Sequence, residues 1–307
     1  MSLGSLVRGR RGVSGFGYAS TAEEVTRGVQ LQGHNVLITG VSSGLGAETA
    51  RVLQLRGATI FGAARTLNKA EQACRTLGTD AVPLACELAE PSSVRACVQD
   101  IRARGIELDV IVCNAGVMAL PERELRYGQE LQFLTNHIGH FGLVTGLLDR
   151  LRARGRIVVL SSSAHHHTPR GGIHFEDLTL KRSYTPWQAY GHSKLANLLF
   201  ARALATRLVG TQRTANAVHP GVIATPLTRH MTPWTRTATS LASRLFFKNV
   251  GEGAATQCYV AAHPAASGIS GEYFMNSNVA RPSRHGRDGA LAERLWYVSE
   301  RIWDALP

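Results

Sequence analysis

Tyr190-Gly191-His192-Ser193-Lys194 sets a phenol and an ammonium four residues apart. Around them Leu195, Leu198, Leu199 and Arg202-Ala203 keep a 3.6-residue spacing, which predicts a helix beginning near Trp187. Residues four apart share a helix face, so Tyr190 and Lys194 point the same way. A free tyrosine titrates near pH ~10. A neighbouring cation favours the phenolate and draws that value toward neutrality, where a general acid–base works best. The same spacing also occurs on ordinary surface helices, so the pair needs support from the rest of the chain.

A second chemical element lies near the start. The apolar run Val36-Leu37-Ile38 reads as a buried strand and leads into Thr39-Gly40-Val41-Ser42-Ser43-Gly44-Leu45-Gly46, then a helical segment from Ala47 to Leu55. A strand, a glycine-rich turn and a helix in that order bind phosphate through free N–H groups and the positive end of the helix dipole. Gly40 permits the tight turn, Gly44 lets backbone approach a pyrophosphate, and Gly46 lets the helix pack on the strand. The candidate binding residues are Gly40, Ser42, Ser43, Gly44, Leu45 and Gly46.

The next strand, Ala58 to Ala64, ends in Arg65, with Lys69 nearby and no acidic residue before Glu71. An NAD-binding fold usually has a carboxylate here for the ribose hydroxyls. A guanidinium instead binds a 2′-phosphate bidentately. The pattern therefore favours NADP(H) over NAD(H).

These groups need a frame. Ala81 to Cys86 reads as a third strand, followed by Glu87-Leu88, and Pro91 starts a helix to about Arg104. Val110-Ile111-Val112 is a fourth strand, ending in Cys113-Asn114-Ala115-Gly116, whose small residues admit a flat ring or a ribose. Leu131 to Arg152 reads as one long helix. Asn136 lies inside it and is a poor mid-helix residue, so its side chain or the backbone it disturbs is available for another task. Arg156 to Leu160 is a fifth strand with Ser161-Ser162-Ser163 at its C-terminal end, the edge where open parallel sheets bind ligands. His165, His166 and His167 follow in an aperiodic stretch and read as loop residues rather than a zinc site. Thr214 to Val218 is a sixth strand, leading to His219-Pro220-Gly221-Val222. Residues 225–250, with Trp234, Phe246 and Phe247, suit a mobile substrate lid. A helix over Gly251–Ala262, a strand over Gly271–Phe274 and a helix over Asp288–Ala305 complete the chain. The unbroken alternation predicts a single α/β Rossmann-type domain: one doubly wound parallel sheet with helices on both faces.

The totals agree. The chain has 307 residues, 44% hydrophobic and 18% charged, as in an ordinary globular protein. Five scattered cysteines with no Cys-x-x-Cys pair indicate neither a disulfide framework nor a metal site, and point to a reducing, cytoplasmic setting. No stretch reaches the ~18 to 20 apolar residues of a membrane span. The net charge of +12 is spread without a basic run, which excludes a nucleic-acid patch and suits a polyanionic small cofactor. Residues 1–20, basic and free of acidic residues, have the composition of a flexible tail or of an organellar transit peptide; the tail is the preferred reading. Ser20 with Glu23 reads as a capping box opening the domain, 21–307.

In type and order, Thr39-Gly40-x-x-x-Gly44-x-Gly46, Asn114-Ala115-Gly116, Asn136, the serine cluster, Tyr190-x-x-x-Lys194 and Pro220-Gly221 followed by Thr225 resemble the short-chain dehydrogenase/reductase family over about residues 33–280. Within it the chain is most similar to the group of retinol dehydrogenases, WW-domain oxidoreductases and a chloroplast-envelope dehydrogenase. Phe16-Gly17, Ser20–Thr26, Asn136–Phe141, Ser162–His165, His192–Asn197, Ala217–Gly221 and Ala292–Trp296 carry that likeness.

The resemblance implies that Ser162 bonds the substrate oxygen and that Tyr190 exchanges the proton. It implies that Lys194 binds the nicotinamide ribose and lowers the tyrosine pKa, and that Asn136 holds a water linking Lys194 to solvent. It further implies cofactor contacts from Glu87, Leu88, Asn114, Ala115, Gly116, Pro220, Gly221, Val222 and Thr225. Glu87 stands where the family usually has Asp, and Cys113 where it often has Asn. The implied reaction is hydride transfer between NADP(H) and a lipophilic aldehyde, ketone or secondary alcohol, in a homodimer or homotetramer formed through the Leu131–Arg152 and Tyr190–Leu208 helices. The alternative is an NADP(H)-sensing scaffold that binds a protein partner and turns over little.

Overall fold

A computed structural model of the chain describes residues 9–78, 81–222 and 248–307. The strands are β1 (Asn35–Thr39), β2 (Thr59–Ala64), β3 (Ala81–Ala85), β4 (Leu108–Cys113), a small separate hairpin of β5 (Leu125–Arg126) and β6 (Gln129–Glu130), β7 (Leu151–Leu160), β8 (Thr214–His219), β9 (Tyr273–Met275) and β10 (Asn278–Ala280). The main sheet runs β10-β9-β8-β7-β4-β1-β2-β3. All its pairings are parallel except the antiparallel edge β10–β9, which the sequence did not announce.

Successive residues of a strand face opposite sides. Val36 and Ile38 join one apolar cluster, with Val110, Val112 and Leu53, while Leu37 joins the other, with Ile111, Ile157 and Phe141. Both faces of the sheet are therefore buried, which is why the strands read as continuous apolar runs. One layer holds a short α1 (Ala22–Val25), α2 (Gly44–Leu55) and α8 (Val250–Ala262). The other holds α4 (Pro91–Ala103), α7 (Pro186–Arg207) and the closing α9 (Gly289–Ala305). Helix α3 (Leu67–Leu77) lies against β3 and β2. The chain passes from β1 outward to β3 and returns to β4 beside β1, leaving a crevice at the C-terminal ends of β1 and β4.

Several expectations are corrected. The long helix over Leu131–Arg152 is instead α5 (Leu131–Phe133), a π-helical turn (Leu134–Ile138) containing Asn136, and α6 (Gly139–Thr145). Strand β7 starts at Leu151, not Arg156. Leu151 pairs with Leu108, then the register shifts so that Arg156 meets Val110. Between them stand the charged Arg152 and Arg154 and the small Ala153 and Gly155, which hid the strand.

The flexible tail over 1–20 is not found in its described part. Arg11 bridges Gly17, Ser14 N–H donates to Asn278 Oδ1 at 3.0 Å, and the Phe16 ring packs edge-on against Tyr259 and His263. The cap of α1 is Thr21 with Glu24, one residue later than expected, because the Ser20 hydroxyl accepts from Gly17 N–H instead.

The chain's own α9 packs on residues of the two helices expected to form a subunit interface. Trp296 packs on Phe141 at 4.9 Å and on Phe200 at 5.8 Å, and Trp303 fills the space above Gly142. Thr225, and the expected lid up to residue 247, lie outside the described residues.

Candidate active site

The phosphate-binding turn is open. Ser42 and Ser43 are exposed, and Ser43 caps the twelve-residue helix α2 with no side-chain hydrogen bond, so the first N–H groups of that helix face outward without a cap. Gly44 has φ +61° and nothing near the position of a Cβ. Gly46 is the reverse: a Cβ there would lie 2.2 Å from the Gly40 carbonyl. A cradle that is crowded behind and vacant in front fits a pyrophosphate. Leu45 is half-buried behind the turn. Arg65 and Lys69 are both exposed just beyond the end of β2, and no acidic side chain pairs with either among the described residues.

Asn114 braces this turn. Its Nδ2 donates to the Thr39 carbonyl at 2.8 Å, and its N–H and that of Ala115 both donate to Thr39 Oγ1 at 3.0 Å. The Glu87 carboxylate accepts from Ala89 N–H at 3.2 Å, and the Leu88 carbonyl packs against Gly139 at the start of α6. Thr39 and His140, quoted in sequence only as parts of longer motifs and given no role there, join the turn to the catalytic helices. Asn136 carbonyl can only accept, so His140 Nδ1 carries the proton, at 2.9 Å. Burial holds His140 neutral, pushed down to about 4, so its Nε2 accepts from the Thr39 hydroxyl at 2.9 Å.

The Asn136 side chain is fully engaged. Oδ1 accepts from Val117 N–H at 2.8 Å, and Nδ2 donates to the Val117 carbonyl and to Ser193 Oγ, both at 2.9 Å. Gly116 lies between this amide and Lys194: a Cβ on it would sit 2.8 Å from Asn136 Oδ1 and 3.7 Å from Lys194 Nζ. The π turn is thus where the chain trades regular helix for a polar side chain facing the crevice.

Helix α7 carries Tyr190 and Lys194 on one face. Thr185 caps it by accepting from Gln188 N–H, and Pro186 occupies its first position. Lys194 is buried, its Nζ 5.6 Å from the Tyr190 ring centroid and 2.9 Å from the Leu160 carbonyl. Burial lowers its pKa to about 8.

Of the three serines, Ser161 is turned inward and donates to the Lys194 carbonyl at 2.7 Å. Ser162 is half-buried, and its hydroxyl lies near enough to the Tyr190 phenol to pull the phenol's pKa down. Ser163 is exposed. The Tyr190 phenol is pushed up to about 12, because burial outweighs the pull of the nearby Ser162 hydroxyl. The expected pull of Lys194 toward neutrality is not among the influences on the phenol in the protein by itself.

Pro220, Gly221 (φ +94°) and the exposed Val222 follow β8 at the same sheet edge, with the Lys248 stem packed on Gly221. Trp187, 54% exposed, stands edge-on to Tyr190 at 6.1 Å. Among the described residues no group of three His, Cys, Asp or Glu side chains is placed to hold a metal ion, and no helix is long and apolar enough to cross a membrane.

Comparison with known proteins agrees with this geometry. A family model described as enoyl-(acyl carrier protein) reductase matches residues 40–277, more than half of the chain. The chain is 41% identical to the short-chain dehydrogenase TIC 32 B, chloroplastic, of Brassica napus, over 100% of both chains. It is 40% identical to retinol dehydrogenase 14 of Mus musculus, over 88% of this chain and 86% of that one. Among solved structures it is similar to an uncharacterised protein from Mycobacterium paratuberculosis (TM-score 0.75, 33% identical, 94% of this chain and 98% of the other). It is also similar to the angucycline C-6 ketoreductase LanV with bound NADP (TM-score 0.63, 25% identical, 81% and 95%).

Proposed function

This chain belongs to the short-chain dehydrogenase/reductase family, and from that premise we propose that it is an NADP(H)-dependent oxidoreductase acting on a lipophilic aldehyde, ketone or secondary alcohol. The observation that carries the reading is the meeting of Ser162, Tyr190 and Lys194 at the sheet edge that also holds the open start of α2. The N–H groups of Ser43, Gly44 and Leu45 would hold the pyrophosphate, Arg65 and Lys69 the 2′-phosphate, and Lys194 the nicotinamide ribose. When bound, the nicotinamide supplies the hydride chemistry.

The residues of this chain do the rest. Ser162 and Tyr190 hydroxyls both reach the substrate oxygen, so charge developing there is stabilised by donors already in place. In reduction Tyr190 delivers its proton to that oxygen; in oxidation it removes one from the alcohol. Lys194, held near Tyr190, favours the phenolate in so far as it keeps its own proton, because a neighbouring cation stabilises the anion. Asn136 positions Gly116 and Val117 against Lys194. Exposed Trp187 beside Tyr190, and exposed Val222 following β8, offer the substrate apolar surface, which supports a lipophilic substrate. We place the protein in the cytoplasm. Residues 11–20 are integrated in the fold, so their removal as part of a cleaved leader would strip contacts from the domain.

The test is titration of wild type and Arg65→Ala with NADPH and NADH, followed by nicotinamide fluorescence. NADPH should bind at least about tenfold more tightly, and the substitution should erase the preference, a loss on the order of 1.5–3 kcal/mol for a charge-assisted phosphate contact. Equal binding of both nucleotides by wild type would remove the NADP(H) assignment, and binding of neither would remove the enzyme reading.

A further inference from the structure

We propose that His165 and His219 are positioning residues that grip the single peptide unit between Ser162 and Ser163 from both ends and so aim the Ser162 hydroxyl, and that they do so only as neutral imidazoles of opposite tautomer. The inference rests on the role assigned above to Ser162.

The carbonyl of that peptide unit belongs to Ser162, and His165 Nδ1 lies 2.5 Å from it. A carbonyl only accepts, so His165 carries its proton on Nδ1. The other nitrogen, Nε2, faces Ser283 N–H at 3.0 Å, and a backbone N–H only donates, so Nε2 is bare. The N–H of the same peptide unit belongs to Ser163 and donates to His219 Nδ1 at 3.3 Å. His219 therefore has a bare Nδ1 and carries its proton on Nε2.

One peptide plane is thus held by a donor on its oxygen and an acceptor on its nitrogen. That plane sets ψ of Ser162, whose own hydroxyl accepts from Ala164 N–H at 3.2 Å. Both rings are nearly inaccessible, at 1% and 6% exposure. His165 is wedged between Tyr273 of β9, ring centroids 5.0 Å apart, and His166, at 4.1 Å.

Protonation of either ring would oppose two donors. On His165 the new proton would meet Ser283 N–H; on His219 it would meet Ser163 N–H. The groups that face them discourage this. His165 is repelled by His166, and His219 by Lys248, His165 and His166, and burial is the larger effect on both, which holds each down to about 4. Tyr273 is neutral, its phenol pushed up by burial. Among three adjacent histidines that look alike in sequence, this singles out the first. Its partners come from β9 (Tyr273) and from the segment before α9 (Ser283), which the sequence alone does not bring together.

The test has two arms. Histidine ¹⁵N NMR of the full chain, assigned with single variants, should show His165 as the Nδ1–H tautomer and His219 as the Nε2–H tautomer, neither titrating near the ordinary 6.5. A tautomer mixture titrating near that value would overturn the proposal, and this arm needs only the wild-type fold. Second, turnover of benzaldehyde with NADPH is compared for Ser162→Ala, His219→Leu, His219→Asn, His165→Leu and His165→Asn.

The leucine variants should lose on the order of 10- to 100-fold in kcat through a misaimed hydroxyl, with NADPH affinity unchanged. Asn at 219 restores an acceptor and Asn at 165 a donor, so both should recover most of the loss. His219→Asn should also shift the acid limb of the pH profile. Full activity in Ser162→Ala would remove the role of Ser162 itself. Loss in Ser162→Ala with wild-type rates and pH profiles in both leucine variants would remove the clamp alone.

Discussion

The Thr39 hydroxyl and His140 Nε2 lie 2.9 Å apart, and together with the bond from His140 Nδ1 to the Asn136 carbonyl this ties the end of β1, through the first turn of α6, to the π turn that carries Asn136. Thr39 Oγ1 also accepts from two buried-side N–H groups, those of Asn114 and Ala115. Thr39→Val keeps the shape and removes the oxygen, stranding both donors and the imidazole. It should cost on the order of 2–4 kcal/mol in denaturant unfolding, while Thr39→Ser should be near neutral. Equal stability of Thr39→Val and wild type would show the hydroxyl to be dispensable.

Gly46→Ala and Gly44→Ala should differ. At Gly46 the Cβ would lie 2.2 Å from the Gly40 carbonyl and 2.5 Å from Asn114 Nδ2, so helix α2 must shift away from its strand. We expect lost NADPH binding and a fall in Tm. At Gly44 there is open space, but φ is +61°, a conformation costing about 1–2 kcal/mol for alanine. Its effect should be modest in stability and felt in cofactor affinity, both measurable by fluorescence titration.

Tyr190→Phe removes the proton donor but none of the pyrophosphate cradle. Turnover should fall by about 10²- to 10⁴-fold, with NADPH affinity held within a few-fold. A variant that reduces carbonyls at the wild-type rate would take the proton step away from Tyr190.

Acid should unfold this protein earlier than carboxylate titration would. Burial holds His137 down to about 3, and His140, His165, His192 and His219 to about 4, against an ordinary 6.5. Between those values the unfolded chain binds more protons than the folded one, so stability rises with pH. It is fully present above about 6.5 and is lost as pH falls from there toward 4. Each unit of depression is worth about 1.4 kcal/mol, so several histidines together should bring on acid unfolding within that window. Circular dichroism against pH reads it directly. A flat signal down to pH 4 would mean that these rings take protons without cost.

The sheet was legible because its central strands are apolar on both faces and each ends in a distinctive turn. The Tyr190–Lys194 pairing followed from helical spacing, and the serine assignment followed from resemblance. What stayed hidden depends on partners far away in sequence. Ser161, Ser162 and Ser163 are chemically alike until the fold turns the Ser161 hydroxyl to the Lys194 carbonyl, sets Ser162 near Tyr190 and gives the Ser163 N–H to His219. The π turn at Leu134–Ile138 leaves only an awkward Asn136 as its mark, because adding one residue to a helical turn needs no special sequence. The start of β7 is hidden by Arg152 and Arg154, which reach to Asp109 and Gln212 from the ragged end of the sheet.

The segment before α1 has a consequence for how the chain assembles. Ser14 and Phe16 are held by Asn278, Tyr259 and His263, and the Tyr18 ring lies 4.9 Å from Lys248 Nζ. Ser14 and Asn278 are separated by 264 residues. During synthesis these early residues wait, solvent-facing, while nearly the whole sheet is made, and loop closure over such a span is slow. The strap is therefore the clasp of the fold rather than its nucleus: it should gain protection from hydrogen exchange last on refolding and lose it first when the β9–β10 hairpin is weakened.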